Sequence, residues 1–348
     1  MSSQMFCYQC QEAAGCKGCT VKGVCGKQPD TATLQDAQVY ALKGLSTVAE
    51  AVGTDAAAEA AGRLALDGLF ETVTNTNFDN PRFVARVGEI IALRDQLAAE
   101  LPAGTTLPDC ATWAPGSEAD MLAAAEQTSV LATENEDVRS LRELLIYGIK
   151  GIAAYAHHAV VLGHTDASIN AFLVKALAAT VKDLSADELT GLVLEAGAVA
   201  VTTMALLDTA NTSTFGNPEL TTVNIGVGAN PGILVSGHDL LDIKELLEQT
   251  EGTGVDVYTH GEMLPSHYYP ELKKHSHLVG NYGGSWFHQA KEFATFNGPI
   301  LMTTNCITPV RDEYKDRIYT AGAAGCPGLP HIAERPEGGK KDFSALIE

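Results

Sequence analysis

Five cysteines fall within the first 25 residues: Cys7, Cys10, Cys16, Cys19 and Cys25. A C-x-x-C turn aims two thiolates at one metal, and the interspersed glycines let the backbone fold closely around it. Two four-ligand sets satisfy the spacing. Cys7, Cys10, Cys16 and Cys19 pair two such turns, whereas Cys7, Cys10, Cys19 and Cys25 skip Cys16. Either set suits zinc or an iron–sulfur cluster, because both accept four thiolates. The plainest alternative is a zinc ribbon that only staples the N-terminus.

A second constellation lies far downstream. His238 follows the apolar run Ile233-Leu234-Val235, Glu262 follows Val255–Thr259, and Cys306 follows Ile300–Thr304. Each run reads as a strand, and the carboxyl ends of strands in open α/β sheets line the ligand crevice. An imidazole, a carboxylate and a thiolate can therefore converge from separate turns. Such a mixed N/O/S set suits a transition-metal centre better than calcium or magnesium. Taken singly, His238 reads as a turn residue, Glu262 as an acidic first-turn residue and Cys306 as a small buried hydrophobe.

Other residues carry less. His157, His158 and His164 sit in a helical stretch and read as packing or surface residues. His267, His275, His277 and His288 crowd one region with Tyr268, Tyr269, Tyr282 and Trp286, and read as a surface histidine cluster, with a channel lining as the alternative. Cys110 and Cys326 read as structural. The glycine-rich stretch 225–232 lacks the full G-x-G-x-x-G spacing of a dinucleotide site. There is no G-x-S-x-G elbow, no H-E-x-x-H and no P-loop.

These residues need elements to position them. The chain has 348 residues, 45% hydrophobic and 19% charged, enough for about two packed domains. Residues 1–30 form a Cys/Gly-rich loop. Residues 31–217 read as helical: Val39, Leu42, Leu45 and Val48 recur at helical spacing, as do Leu141, Leu145, Gly148 and Ile152. Capping-box starts are expected at Thr33/Asp36, Thr133/Glu136 and Ser185/Glu188. After Phe215-Gly216-Asn217-Pro218 the pattern changes, and 218–348 alternates short β-branched runs with helical stretches. The expected strands are Val223–Val227, Ile233–Val235, Val255–Thr259, Ile300–Thr304 and Ile318–Thr320. The expected fold is thus multidomain α and α/β. An all-α helical-bundle domain precedes a Rossmann-like α/β domain with a mostly parallel sheet.

The 43 acidic against 23 basic residues leave a formal net charge of −20. That field repels nucleic acid and anionic membranes. No apolar run approaches the ~18–20 residues of a membrane span. Met1 to Cys10 shows neither the basic head nor the apolar core of a signal peptide, so a cytoplasmic location is expected. In that setting dense cysteines mean metal or redox chemistry rather than disulfides.

The motifs MFCYQCQE, GCTVKGVCGK, LQDAQVYALKGLS, GILVSGHDL, LLEQTEGTGVDVYTHGEMLPSHYYP, GNYGGSW, FNGPILMTTNC and YKDRIYT are spread over essentially the whole chain. In these segments the sequence resembles the hybrid cluster (prismane) proteins, known as hydroxylamine reductases. The resemblance implies that Cys7, Cys10, Cys19 and Cys25, in C-x2-C-x8-C-x5-C spacing, hold a 4Fe–4S cluster and leave Cys16 as an extra residue. It further implies that His238, Glu262 and Cys306 are the first three protein ligands of a hybrid 4Fe–2O–2S cluster. The family's remaining ligands, three cysteines (one a persulfide) and a second glutamate, belong to a further C-terminal α/β domain that this sequence does not reach. That absent piece becomes an expected partner, and without it the chain alone is expected to lack reductase activity.

The implied reaction is two-electron reduction of hydroxylamine to ammonia and water. A small nitrogen-oxide substrate binds at the hybrid cluster, and an electron-donor redox protein feeds the N-terminal cluster. Nitric oxide reduction is the competing assignment. A non-catalytic 4Fe–4S electron-transfer or redox-sensing fragment is the alternative of another class.

Overall fold

The computed structural model describes residues 5–348. Met1–Gln4, part of the segment read as lacking an export signal, lie outside the described residues. The chain divides into two compact units. Among the described residues the first comprises 5–73, 79–160 and 164–207, and the second 74–78, 161–163 and 208–348.

The first unit is helical. Its principal helices are α1 (Pro29–Val52), α2 (Asp55–Glu71), α3 (Asn80–Ala98), α4 (Glu136–Val161) and α5 (Ala167–Ala179), followed by α6 (Ala186–Phe215). The four residues whose spacing predicted the first helix, Val39, Leu42, Leu45 and Val48, are all buried along α1. Leu42, Leu45 and Val48 join Leu66, Leu69, Phe83, Ile90, Leu145, Ile149 and Leu173 in one apolar core. Close approach depends on a missing side chain at Gly44, where an added Cβ would lie 2.1 Å from the Cys110 carbonyl oxygen. Cys110 is buried there, consistent with a packing role.

Helix starts differ from expectation in two places. α1 begins at Pro29, whose fixed φ suits a first-turn position, so Thr33 lies inside the helix and its hydroxyl bonds back to the Pro29 carbonyl at 3.1 Å. At α4 the cap is supplied by Asn135, whose Oδ1 accepts from Val138 N–H at 3.1 Å, rather than by Thr133. Ser185 and Glu188 do form the reciprocal box before α6, with Glu188 accepting from Ser185 N–H at 2.8 Å and Ser185 Oγ from Glu188 N–H at 3.3 Å.

Contrary to the reading from uninterrupted apolar runs, α4 and α6 are each long and apolar enough to cross a membrane by length and composition. Single charged or small polar residues break their sequences into short runs, which conceals the mean hydropathy of the whole helix. Inside the fold, 44% of the apolar window of α4 is buried, against 17% for α6.

The second unit is built on a five-stranded, all-parallel sheet: β1 (Gly232–Ser236), β2 (Asp256–Thr259), β3 (Leu278–Asn281), β4 (Ile300–Met302) and β5 (Ile318–Thr320), in the order β3-β2-β1-β4-β5. Helices α7 (Leu240–Thr250) and α8 (Gln289–Thr295) lie among the connections. Side chains alternate between two apolar layers. Ile233, Val235, Val257 and Leu301 pack with Ile243, Leu246 and Leu247 of α7, while Leu234, Tyr258, Ile300 and Met302 pack with Phe293 of α8. A parallel sheet buried on both faces explains why its strands read as continuous β-branched runs.

Four expected strands are present and one is not. Val223–Val227 is an irregular segment with Ile225 and Val227 exposed; its Asn224 carbonyl accepts from Asn281 N–H at 2.8 Å, beside β3. The strand at that edge is instead Leu278–Asn281, whose four residues, ending in glycine and asparagine, give no period-2 signal.

Candidate metal centres on the N-terminal loop and the strand tips

The N-terminal loop folds on a short antiparallel bridge between Cys7 and Cys19, whose backbones exchange hydrogen bonds of 3.0 and 2.9 Å. Both side chains are buried, with Met5, Ala13 and Ala32 around them. The Ala14 N–H donates to Cys19 Sγ at 3.4 Å, and Lys27 Nζ lies 3.8 Å from Cys7 Sγ. Cys10 and Cys25 are half-buried; Cys16 is exposed, at φ +58°. Among the described residues all eight cysteines are free thiols. The floor of the loop is charged. Burial pushes the Asp36 carboxyl up to about 7 and pulls the Lys150 ammonium down to about 8. Burial also raises the Cys7 thiol, with Lys27 opposing it. A metal must displace that proton, and nearby ammonium groups favour the thiolate it needs. Paired buried sulfurs with N–H and ammonium donors on them fit a sulfur-ligated cluster.

The second site is a cavity of about 460 Å³ at the carboxyl ends of the strands, and His238, Glu262 and Cys306 all line it. The strand order reverses between β1 and β4, the switch point where open α/β sheets place their ligands. His238 leaves β1 and Cys306 leaves β4, on either side of that point, and Glu262 follows β2. His238 Nδ1 shares a 2.8 Å hydrogen bond with Thr304 Oγ1, while its Nε2 meets Glu262 Oε2 at 2.7 Å. Two ligand-type atoms thus face one point, with the imidazole oriented from behind, the arrangement of a metal-binding histidine.

Cys306 is held in the left-handed region, at φ +74°. For a non-glycine residue that conformation costs about 1–3 kcal/mol, so its surroundings must enforce it. Asn75 does so with its Oδ1 accepting from Cys306 N–H at 3.0 Å, and Gln289 Nε2 donates to the Cys306 carbonyl at 2.5 Å. Burial, followed by the Glu262 charge, pushes the Cys306 thiol up to about 12. The N/O/S donor set fits a transition-metal cluster.

Sequence reading missed the layer beneath. His260 is fully buried and bonds Ser236 Oγ through Nδ1 at 3.1 Å and Glu292 Oε2 through Nε2 at 2.8 Å. Glu292 also accepts from Gly284 N–H at 3.0 Å, fixing the glycine loop that carries Trp286 and Phe287 to the cavity. Only its adjacency to Glu262 in THGE could have flagged His260. Nor do the other histidines form one surface cluster. His267 is buried against Thr259 at 2.9 Å, His275 and His277 face Glu251, and His288 lies 3.8 Å from Glu292.

Gly237 is the tightest point of the site. It sits at φ +103°, and an added Cβ would lie 2.4 Å from Thr303 Oγ1 and 2.7 Å from Thr304 N. Gly237→Ala must therefore separate the two turns that carry His238 and Cys306. The expected loss is at least about 2 kcal/mol of stability, measured by denaturant unfolding. An unchanged midpoint would show that the turns are not locked together.

Residues 5–348 match the Prismane/CO dehydrogenase family. A protein named hydroxylamine reductase from Desulfitobacterium hafniense is 58% identical over 353 residues, covering 99% of this chain. One of the same name from Nitratidesulfovibrio vulgaris is 56% identical over 356 residues, again across 99% of the chain. The chain spans 64% of the length of each of these relatives. Among solved structures, a carbon monoxide dehydrogenase from Thermococcus sp. AM4 superposes with a TM-score of 0.38 at 14% identity, over 96% of this chain and 52% of that one. With the family match running through both units, from the cysteine loop to the last residue, the chain belongs to the Prismane/CO dehydrogenase family.

Proposed function

We propose that this chain is the cluster-binding part of an iron–sulfur oxidoreductase that reduces hydroxylamine to ammonia and water. The observation that carries the proposal is that His238, Glu262 and Cys306 all line one cavity at the sheet's switch point. Close relatives named hydroxylamine reductase support the substrate. On this reading Cys7, Cys10, Cys19 and Cys25 hold a 4Fe–4S cluster, and His238, Glu262 and Cys306 contribute to a hybrid 4Fe–2O–2S cluster. When bound, the hybrid cluster supplies Lewis-acidic iron and the electrons of the reduction.

The chain's own residues prepare the site. Thr304 orients His238 so that Nε2 faces the cavity. Asn75 and Gln289 fix the strained turn that presents Cys306. Glu262, its side chain 68% exposed, is the most accessible of the three. Trp286 and Phe287, carried by the loop that Glu292 anchors, line the cavity with apolar surface and limit water. The partners on this reading are a small nitrogen-oxide substrate and an electron-donor redox protein. A reducing, cytoplasmic location goes with this reading, because in such a compartment dense cysteines serve metal or redox chemistry.

The test compares iron content and turnover with a reduced viologen donor in this chain and in the triple variant His238→Ala/Glu262→Gln/Cys306→Ala, each with the family's C-terminal domain supplied in trans. The variant should retain about four irons per chain and its 4Fe absorbance, and lose the remaining iron and hydroxylamine turnover. Unchanged iron and turnover would refute the assignment.

A further inference from the structure

Glu251, His275 and His277 form a cluster that the proposed reaction does not use. Their ligand atoms all lie within 4.8 Å of one another. Glu251 follows the last residue of α7, and the two histidines lie on the turn that leads into β3. His275 Nδ1 is 2.8 Å, and His277 Nδ1 3.7 Å, from the same oxygen, Glu251 Oε2.

The proton on His277 is located by its other nitrogen. Its Nε2 lies 3.1 Å from the Leu247 carbonyl oxygen, which can only accept, and 3.0 Å from Thr250 Oγ1. Thr250 spends its own hydroxyl proton on the Leu246 carbonyl at 2.8 Å. Nε2 therefore carries the hydrogen, and in the neutral ring, the metal-binding form, Nδ1 turns a lone pair toward a carboxylate oxygen. The two ligand-type atoms stand 3.7 Å apart, too far for a hydrogen bond and close enough to share one cation. The N–H···O=C brace on the far nitrogen is the support that metal-binding histidines characteristically have.

The frame is rigid. The His277 carbonyl accepts from Val257 N–H of β2 at 2.8 Å, and the His275 carbonyl from Leu278 N–H at 3.0 Å. Both rings are nearly buried, and His275 Nε2 has no hydrogen-bond partner. Two imidazoles and one carboxylate select zinc-class ions over calcium or magnesium, which prefer all-oxygen shells.

We propose that Glu251, His275 and His277 bind one divalent transition-metal ion of the zinc class, with water completing its shell, and that the ion staples the end of α7 to the turn before β3. Neither cluster site shares a residue with it.

The test titrates the cluster-loaded protein, freed of loosely bound metal, with zinc chloride under anaerobic conditions. One zinc per chain should bind at this site. Glu251→Gln, exposed and so tolerated by the fold, and His277→Ala should each weaken that binding at least about tenfold, with the cluster absorbance unchanged. Zinc-edge X-ray absorption should show nitrogen and oxygen neighbours at about 2.0–2.2 Å and no sulfur at about 2.3 Å. Zinc should raise the thermal midpoint of the parent and not of Glu251→Gln. Equal zinc affinity in parent and variants, or sulfur in the zinc shell, would overturn the proposal.

Discussion

Cys19→Ser is expected to abolish the visible absorbance of the N-terminal cluster, and Cys16→Ser to leave it intact. The two thiols are three residues apart, yet the fold treats them oppositely. Cys19 is 4% exposed, paired through its backbone to Cys7, and its sulfur already accepts an N–H from Ala14. Cys16 stands on an exposed turn at φ +58°. A buried thiolate needs its charge neutralised, and a metal does that. On the proposed ligand set, replacing Cys19 by serine leaves one iron of a four-thiolate cluster without a sulfur ligand, whereas an exposed serine at position 16 changes little. Equal loss of absorbance from both variants would show that the ligand set is drawn wrongly.

Asp242→Asn should cost about 3–5 kcal/mol of unfolding free energy, the penalty for breaking a buried ion network at one partner. Asp242 accepts from Arg335 at 2.6 Å and from Lys341 at 3.1 Å, and the side chains of Asp242 and Lys341 are each 1% exposed. Burial pulls the Lys341 ammonium down, but Asp242, with Glu334 and Asp239 behind it, outweighs burial and holds it above its ordinary value. The same segment is fastened to α7 by Glu245, which accepts from Arg335 Nε at 2.9 Å and Lys341 N–H at 3.1 Å, and by Gln249, which bonds the backbone of Lys341 and Phe343. Urea unfolding measures the loss. Adding Lys341→Met to Asp242→Asn should recover a substantial part, because the stranded cation is then gone. A loss below about 1 kcal/mol would mean that water reaches the network.

Much of the fold was legible in local patterns. Helical spacing of Val39, Leu42, Leu45 and Val48 marked buried positions of α1 because a helix repeats every 3.6 residues whatever it packs against. The runs at β1, β2, β4 and β5 were legible because a sheet covered on both faces needs apolar residues at every position. The same rule misled at Val223–Val227. β-branched residues there lie in the open beside a strand edge, and the edge strand itself ends in glycine and asparagine, which do not read as strand.

For the sites, the sequence alone determined the inventory: four-thiolate spacing near the N-terminus, and a histidine, a glutamate and a cysteine each placed just past a strand. Residue type and the strand-then-turn pattern are local properties, so they survive without coordinates. Only the tertiary structure decided which groups meet. The strand order β3-β2-β1-β4-β5 puts the turns after β1 and β4 side by side across 66 residues of chain, and Thr304 behind His238 sets which nitrogen faces the cavity. It also separated Cys19 from Cys16, drew His260 and Glu292 beneath the cavity, and split the histidines into distinct environments. Those outcomes depend on non-local packing and on which hydrogen-bond partner claims each proton, and neither is written in the spacing of residues along a chain.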